Sequence, residues 1–330
     1  MDIKIKGNRL KNLLSYDWLK IIVAIAAGIA VWSLLFTTLS TRVTVGEEFV
    51  FNVYENVYSR DESKNTDILK DLKDKGQLSY DVLNMKSERI AGAGQYNASY
   101  MLSLKVSVQE GDVMIISDGR AGKMQDDVDP TLEIKRVVNA GYLYDIEKLL
   151  LDASDYCIDN GFVSVKDGHV TYNEETIKQY FLTKRLKSAG NYRKTFRTEA
   201  QKNEGVALEI KRIKALYENY LYVSQAILKA QVLGCDFLWY GELNKYDSEG
   251  NIIEGEGEIA PYGIDLYKLN QSLTEEDAPR VKDTWYTYAD GKTTDEGLVA
   301  CVFNFRGYQP DMQYETLAFL RYLIETYSVY

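Results

Sequence analysis

The amino-acid sequence predicts an α/β protein that begins with a single transmembrane helix. Residues 21–39 form a run of 19 positions without a charged side chain, which is the length of a membrane span. Beyond this run, helical and strand patterns are mixed without the regular strand–helix–strand repeat of a doubly wound sheet. The chain has 330 residues, of which 45% are hydrophobic and 27% charged. This composition is typical of folded proteins, and the length is sufficient for two domains or lobes.

The uncharged run is interpreted as a membrane anchor. About 20 apolar residues in a helix match a hydrocarbon core of about 30 Å. Lys20 and Arg42 flank the run, and Trp18 lies at its edge, where an aromatic ring favours the headgroup layer. A cleavable signal peptide is the alternative, although its apolar core is usually shorter. We predict an uncleaved signal anchor at residues 21–40 that contacts the lipid bilayer.

The charges that flank this run predict its orientation. Residues 1–20 carry five basic and two acidic side chains, whereas Arg42 is the one basic residue in positions 40–59. Basic flanks stay in the cytoplasm, so we expect a cytoplasmic tail at residues 1–20 and an extracellular α/β ectodomain at residues 46–330, on a single-pass protein of the cell membrane. The whole chain carries −10 and the tail +3, which leaves −13 outside. Such an acidic surface argues against nucleic acid as a partner.

Residues able to support catalysis or hold a metal are scarce, with three cysteines and one histidine in the chain. So few cysteines in an exported protein are typical of a bacterium that does not rely on disulfides. His169 follows the turn Asp167–Gly168, where it is expected to face solvent, so a catalytic triad is not predicted. The acidic segment 247–258 lacks the turn glycine of a calcium loop, and the glycines of residues 92–97 lack the third glycine of a dinucleotide site. We expect no enzyme activity, no catalytic residue, no metal and no cofactor.

The elements of the ectodomain are predicted from periodicity. Apolar and polar residues alternate in three strand segments, of which the last is a hairpin: 48–54, 80–85 and 162–172. Continuous apolar runs predict buried strands at two places: 112–117 and 298–305. Helical spacing predicts four helices: 63–75, 133–151, 198–233 and the segment that follows 311. The second helix is interrupted at Gly141, and Asp311 caps the last one. Residues 100–109 alternate strictly, which by itself predicts a strand.

Aromatic residues are numerous, with 26 Tyr, 10 Phe and 4 Trp. They cluster at Trp239–Tyr240 and again at Trp285, Tyr286 and Tyr288. Aromatic faces in a cleft bind sugar rings and peptides. Aromatic residues at period 2 also suit ordinary strand packing, so both interpretations stay open.

One segment is unusually basic for an acidic chain. Residues 178–214 contain eleven Lys or Arg against three Glu. The segment is either a solvated helix face or a surface that docks on an anionic envelope partner through Arg193, Lys194 and Arg197. The alternative function is therefore that of an envelope-docking interaction protein with a degenerate binding fold.

Several segments together resemble extracellular solute-binding proteins. The similarity lies in the passage from Tyr100 through Gly111–Asp112 to Ile116, and in three later segments: 141–146, 261–266 and 298–325. The resemblance implies a bilobal fold of the type II periplasmic-binding-protein kind, with a ligand held between the lobes. One lobe would comprise about 46–120 and part of the C-terminal half, and the other about 121–300. The resemblance also implies a helix rather than a strand at residues 100–109.

The absent catalytic groups, the order of segments and the aromatic clusters together favour one function. We expect a membrane-anchored, extracytoplasmic, non-catalytic ligand-binding protein that takes a carbohydrate or a peptide. Aromatic and carboxylate groups would line its cleft: Tyr54, Glu55, Asp118, Trp239, Tyr240 and Trp285. A glycoside hydrolase that uses two carboxylates is a more distant alternative, because 49 acidic residues offer many pairs.

Overall fold

The protein is seen here as a computed structural model that describes residues 18–39, 47–93, 97–120, 131–188, 194–249, 251–253, 255–271, 281–289, 291–304 and 315–328. The chain divides into two compact units, residues 1–43 and residues 44–330.

In the first unit, the structure describes helix α1 (Trp18–Leu39). The side chains of α1 are described at Lys20 and over residues 22–33, and the longer stretch extends about 18 Å at 1.5 Å per residue. Among the described residues, no helix is both long and apolar enough to cross a membrane. This finding contradicts the predicted signal anchor at residues 21–40. It also contradicts the single-pass location in the cell membrane, with an extracellular C-terminal domain, that depended on the anchor.

The second unit is an α/β fold built on a six-stranded mixed sheet. The strands of this sheet are β1 (Glu48–Tyr54), β3 (Asn84–Ile90), β4 (Val113–Ser117), β7 (Leu238–Leu243), β8 (Glu258–Asp265) and β11 (Leu298–Val302). Their order across the sheet is β3-β1-β4-β11-β8-β7. Strand β1 is parallel to β3 and β4, and β11 is antiparallel to both β4 and β8. Smaller sheets are formed by β2 (Tyr58–Ser59), β9 (Trp285–Ala289) and β10 (Lys292–Thr294), and by the hairpin β5 (Val163–Lys166) and β6 (His169–Tyr172).

Helices cover both faces of the large sheet. They are α2 (Ser63–Asp74), α3 (Ala98–Ser107), α4 (Thr131–Asn139), α5 (Ile146–Asp159), α6 (Glu174–Tyr180), α7 (Glu199–Val232), α8 (Leu266–Leu269) and α9 (Thr316–Tyr327). Alternate residues of β4 enter two different cores, since Val113 and Ile115 pack with α2, α5, α7 and α9, whereas Met114 and Ile116 pack with α3 and α4. Because both faces of this strand are buried, its sequence is a continuous apolar run.

The two predicted lobes contribute to the same sheet. Strands β1, β3 and β4 come from the range 46–120, and β7 and β8 come from the range 121–300. Residues 44–330 form one compact unit. The sheet is therefore continuous across the sequence position at which the two lobes were predicted to divide.

Most of the predicted elements of this unit are present in the structure. Strand β1, the buried strands β4 and β11, the hairpin and the long helix α7 lie where periodicity predicts them. The predicted helical segment 133–151 is indeed two helices, α4 and α5, and Gly141 between them has a φ of +70°. The predicted cap Asp311 lies outside the described residues.

Two segments differ from their local pattern. Within the segment 100–109, residues 100–107 lie in α3, as the resemblance implies, and the strand predicted by alternation is wrong. The Asn97 side chain caps this helix by accepting a hydrogen bond from the Tyr100 amide, and Leu102 is buried against the sheet. The strand predicted at residues 80–85 is displaced to β3. Residues 80 and 81 lie in a turn instead, and the buried Asp81 carboxylate pairs there with Arg185.

Candidate functional site

The candidate site is the edge of the large sheet at which the parallel strands end. Strands β1 and β4 run in the same direction, and β8 runs with them because both β4 and β8 are antiparallel to β11. Their last residues, Tyr54, Ser117 and Asp265, therefore lie at one edge. In open α/β sheets, ligands bind in the crevice outside these carboxyl ends.

Arg120 joins two of the strand ends at this edge. Its Nε donates to Asp118 Oδ2 at 2.6 Å, and its Nη2 donates to Asp265 Oδ2. Both carboxylates are buried, whereas the Arg120 side chain is 40% exposed. Burial lowers the pKa of Arg120, but the hydrogen bond and charge of Asp265, together with Asp118, outweigh this effect and raise it. A permanently charged guanidinium is thus held partly open to solvent.

Trp239 shares one of these carboxylates. The indole Nε1 donates to Asp118 Oδ2 at 2.9 Å, so one oxygen accepts from both Trp239 and Arg120. The second oxygen, Asp118 Oδ1, accepts from the Arg120 amide at 3.0 Å. Asp118 therefore fixes the orientation of an aromatic ring and of a guanidinium at the same time. These three residues and Asp265 are called the Asp118 cluster below.

The local backbone explains why Asp118 occupies this position. Its amide donates to the Gly297 carbonyl at 2.8 Å, and Gly297 has a φ of +76°. A Cβ on Gly297 would collide with the Asp118 carboxylate, so only glycine permits this approach. At Ser117, the residue before Asp118, the carbonyl accepts from the side-chain amide of Asn56 and the backbone amide donates to the Asn56 side-chain oxygen. These two bonds fix the end of β4 against the residues that follow β1.

Two further predicted residues lie at the same edge. Tyr54 is buried, and its hydroxyl donates to Glu133 Oε2 at 2.8 Å. Burial and the Glu133 carboxylate raise the pKa of this tyrosine. Glu55 is half-buried, and its Oε2 accepts from the Gly92 amide at 3.2 Å. Tyr54 thus supports the edge from within, and Glu55 is closer to solvent.

The other two predicted residues do not belong to the cluster. Tyr240 is the neighbour of Trp239 in β7, and its hydroxyl donates to Asp236 at 3.0 Å. Burial and the Asp236 carboxylate raise its pKa to about 12. Trp285 is fully buried, packs on Phe51 and donates to Asn65 Oδ1 at 2.9 Å. The interpretation of Trp285 as a cleft residue is therefore wrong, because its side chain lies in the core.

The neighbours of Trp285 on β9 face outward instead. Tyr286 and Tyr288 surround Tyr58 of β2, with ring centroids 5.9 Å and 5.2 Å from the Tyr58 ring. The guanidinium of Arg89, near the end of β3, lies 5.2 Å from the same ring. Tyr58 follows the end of β1 by four positions, so this tyrosine platform of Tyr58, Tyr286 and Tyr288 adjoins the same edge of the sheet.

A polar groove of about 330 Å³ runs beside the platform. Arg89 and Ser59 line it from the side of the platform, and Glu62, Ser63 and Glu88 line the rest. Exposed aromatic rings next to hydroxyl and charged side chains offer both stacking surfaces and hydrogen-bond partners to a ligand.

Sequence reasoning missed four residues of this edge: Arg120, Asp265, Tyr58 and Arg89. The alternation of side chains along β9 did contain a signal for the tyrosine platform. Trp285 and Thr287 point inward, whereas Tyr286 and Tyr288 point outward on the same strand. The pairing of Arg120 with Asp265 spans 145 positions. No local sequence pattern predicts a contact between two residues so far apart in the chain.

The basic segment 178–214 is less charged at the surface than its composition indicates. Arg185 and Arg212 are buried and paired with carboxylates inside the protein. Lys194 and Arg197 are exposed, and Arg193 lies outside the described residues. The docking surface predicted from this segment stays a prediction.

In the part of the chain that the structure describes, no group of three or more metal-ligating side chains is present. No protein-family model, curated protein or solved structure matches this chain. The geometry of the edge is therefore the basis for a functional argument.

Proposed function

We propose that this protein is a non-catalytic binding protein for a neutral carbohydrate, held at the carboxyl edge of its parallel strands. The observation that carries the proposal is the shared carboxylate of Asp118, which orients the Trp239 ring and the Arg120 guanidinium side by side. An aromatic face beside hydrogen-bond donors suits a sugar ring, which has both apolar C–H faces and hydroxyl groups.

The charge of the cluster favours a neutral ligand over an anion. Asp118 and Asp265 together carry two negative charges, and Arg120 supplies one positive charge. The net charge of −1 disfavours phosphate or carboxylate ligands. A guanidinium N–H that remains open to solvent can still donate to a sugar hydroxyl.

The hydrogen bonds of the two carboxylates favour binding over hydrolysis. A glycosidase needs one carboxyl that donates a proton to the leaving oxygen and a second that serves as base or nucleophile. Asp118 accepts from Arg120 and Trp239, and Asp265 accepts from Arg120 and from the Lys268 amide. Carboxylates whose oxygens already accept from such donors hold other groups in place, and neither presents a free acid to a leaving oxygen.

The experiment is calorimetric titration of the full chain with neutral monosaccharides and with linear oligosaccharides of glucose, galactose and mannose. We expect saturable binding of at least one neutral sugar, and weaker or no binding of the corresponding sugar phosphates. Trp239→Ala removes the stacking face and is expected to weaken binding at least about tenfold, since stacked aromatic contacts and buried area contribute on the order of 1–2 kcal/mol. Tyr288→Ala tests the platform in the same way.

The matched control is Tyr246→Ala, which removes an exposed aromatic ring outside the cluster and the platform. It is expected to leave binding unchanged. Absence of heat with every neutral sugar, or equal binding by the Trp239→Ala and wild-type proteins, would refute the proposal. Release of reducing sugar from an oligosaccharide during the titration would instead favour the hydrolase alternative.

A further inference from the structure

A second cavity, of about 370 Å³, opens near the end of the sheet at which the parallel strands begin. Its walls are the end of α2, the segment 76–83 that leads into β3, and one face of α7. The cavity is therefore separate from the carboxyl edge described above. Its volume lies within the range of small-molecule sites, roughly 300–1,000 Å³.

One wall of this cavity is apolar. Leu208, Ala215 and Leu216 recur on α7 at the spacing of a single helix face, and Leu78 and Val82 face them from the segment before β3. Contact with this wall stabilises an apolar ligand body by about 25 cal/mol for each Å² of surface removed from water.

Two lysines line the cavity and have no acidic partner among the described residues. Lys73 of α2 and Lys211 of α7 are exposed, and neither forms an ion pair within the described residues. The Lys211 ammonium lies close to Gly76, with Nζ 3.1 Å from the position that a Cβ there would occupy. Gly76, with a φ of +64°, ends α2, and the carbonyls of a helix end attract a cation. Lys211 is thus held near the cavity.

Among the described residues of the lining, Glu315 contributes the one carboxyl group. It is 7% exposed, and its Oε2 accepts from the Ser79 amide at 3.1 Å. Its Oε1 is buried and has no hydrogen-bond partner among the described residues. The nearest cation is Arg212, with Nη1 at 3.9 Å from Oε1, but Arg212 already donates to Glu209 at 2.7 Å and 3.1 Å. The Glu315 carboxyl therefore lacks the full set of donors that an ionised group requires.

The surroundings of Glu315 favour its protonated form. Burial raises its pKa to about 7, the Arg212 charge lowers it, and the Asp81 charge raises it further. A carboxyl with such a pKa is protonated in about half of the molecules at neutral pH. Its O–H group can donate to an anion in the cavity, which an ionised carboxylate would repel.

From the two unpaired lysines, the apolar wall and the under-bonded Glu315, we propose that this cavity binds an organic carboxylate with an apolar body. The carboxylate lies at the lysines and near Glu315, and the body lies along Leu208 and Leu216. A ligand ammonium would meet Lys73 and Lys211 and be repelled.

The test is calorimetric titration of the full chain at pH 6.5 with octanoate, with octanol and octylammonium as matched ligands. We expect octanoate to bind at least about tenfold more tightly than octanol, and octylammonium not to bind. The double variant Lys73→Ala/Lys211→Ala should weaken octanoate binding at least about tenfold. Lys70→Ala, at an exposed position of α2 that does not line the cavity, should leave it unchanged.

Two further variants separate the cavity from a general effect of surface charge. Ala215→Phe fills the cavity and should abolish octanoate binding, with circular dichroism used to confirm that the variant is folded. Octanoate binding should weaken as the pH rises from 6 to 8, and Glu315→Gln should remove most of this dependence. The proposal is overturned if octanoate shows no saturable heat, if octanol binds equally well, or if the double lysine variant or folded Ala215→Phe binds like the wild type.

Discussion

Asp81 and Arg185 form an ion pair with both side chains removed from solvent, although they lie 104 positions apart in the chain. Glu209 and Arg212, three positions apart on α7, extend the pair into a buried network. Tyr80 also joins it, since its hydroxyl donates to Glu209 Oε2 at 2.8 Å. The network connects the turn before β3, the segment that follows α6, and α7.

Removal of one partner of this pair should destabilise the protein strongly. Asp81→Asn leaves the buried guanidiniums of Arg185 and Arg212 to share the Glu209 carboxylate, and breaking a buried pair in this way costs about 3–5 kcal/mol. The measurement is the free energy of unfolding from urea titration. Asp81→Leu combined with Arg185→Met removes both charges and should cost clearly less than Asp81→Asn alone.

The control for this experiment is Lys202→Ala, which breaks the exposed pair of Lys202 with Glu199. Exposed pairs contribute little, so the free energy of unfolding should be nearly unchanged. If Asp81→Asn costs no more than this control, the buried network does not contribute to the stability of the fold.

The stability of the protein should depend on the protonation of two buried carboxyl groups. Burial raises the pKa of Glu315 to about 7, and burial also raises that of Asp112 to about 7, against the hydrogen bond from the Val50 amide. In the unfolded chain, both groups titrate near pH 4. Between about pH 4 and pH 7, the unfolded state therefore loses protons that the folded state retains. The contribution of these groups is fully present below about pH 4 and is lost as the pH rises to 7.

The magnitude can be checked by comparing the wild type with Glu315→Gln. A pKa difference of two to three units corresponds to on the order of 3 kcal/mol for one group. We expect Glu315→Gln to gain stability relative to the wild type as the pH rises from 5 to 8, measured by urea titration at each pH. Acids whose pKa is lowered in the folded protein, such as Glu209 beside Arg212, make the stability rise with pH instead. Their effect on stability is the same in both proteins and therefore cancels in the comparison. Parallel stability curves for the two proteins would contradict the raised pKa of Glu315.

Local sequence signals predicted the elements whose burial pattern is simple. The alternation of β1, the apolar run of β4 and the Asp167–Gly168 turn each follow from neighbouring residues. Asp167 and Gly168 have φ values of +51° and +77°, the conformation that a two-residue hairpin turn requires. Such elements need no information from distant parts of the chain.

The site could be predicted only in part, because its contacts join distant segments. Asp118 and Trp239 were both expected in one site, and a hydrogen bond does join them across 121 positions. Arg120 and Asp265 were missed, since neither shows a distinctive pattern until the sheet brings β4 and β8 to the same edge. The burial of Arg212 was not predictable for a related reason, because a charged residue on a long helix normally faces solvent and this one is buried.

The three cysteines should differ sharply in reactivity with a thiol reagent. Cys157 and Cys301 are buried, and burial raises the pKa of both thiols, that of Cys157 to about 12. Cys235 is partly exposed. Because the thiolate is the reacting form, we expect one thiol of the folded protein to react with Ellman's reagent at pH 8, and three to react in 6 M guanidinium chloride.

The variant Cys235→Ser identifies the reactive thiol. It should abolish the fast reaction of the folded protein and leave two thiols that react after unfolding. A fast reaction that persists in Cys235→Ser would mean that one of the buried cysteines is reached by solvent.

Gly205, the glycine of α7, should not tolerate a side chain. A Cβ at this position would overlap Phe181 Cζ and lie 2.9 Å from Phe181 Cε1 and 3.0 Å from Phe196 Cδ1. In an open helix, alanine stabilises by about 1 kcal/mol relative to glycine, but overpacking of a core costs about 1–3 kcal/mol. We expect Gly205→Ala to lower the free energy of unfolding by about 1–2 kcal/mol, measured by urea titration.

A double-mutant cycle with Phe181→Leu gives the matched control. The smaller side chain removes the ring atoms that the new methyl group would strike, so Gly205→Ala should cost less in the Phe181→Leu background than in the wild type. Equal costs in the two backgrounds would show that the contact between Gly205 and Phe181 does not limit this position. A net gain from Gly205→Ala in the wild type would mean that helix propensity outweighs the packing of α7 against the Phe181 ring.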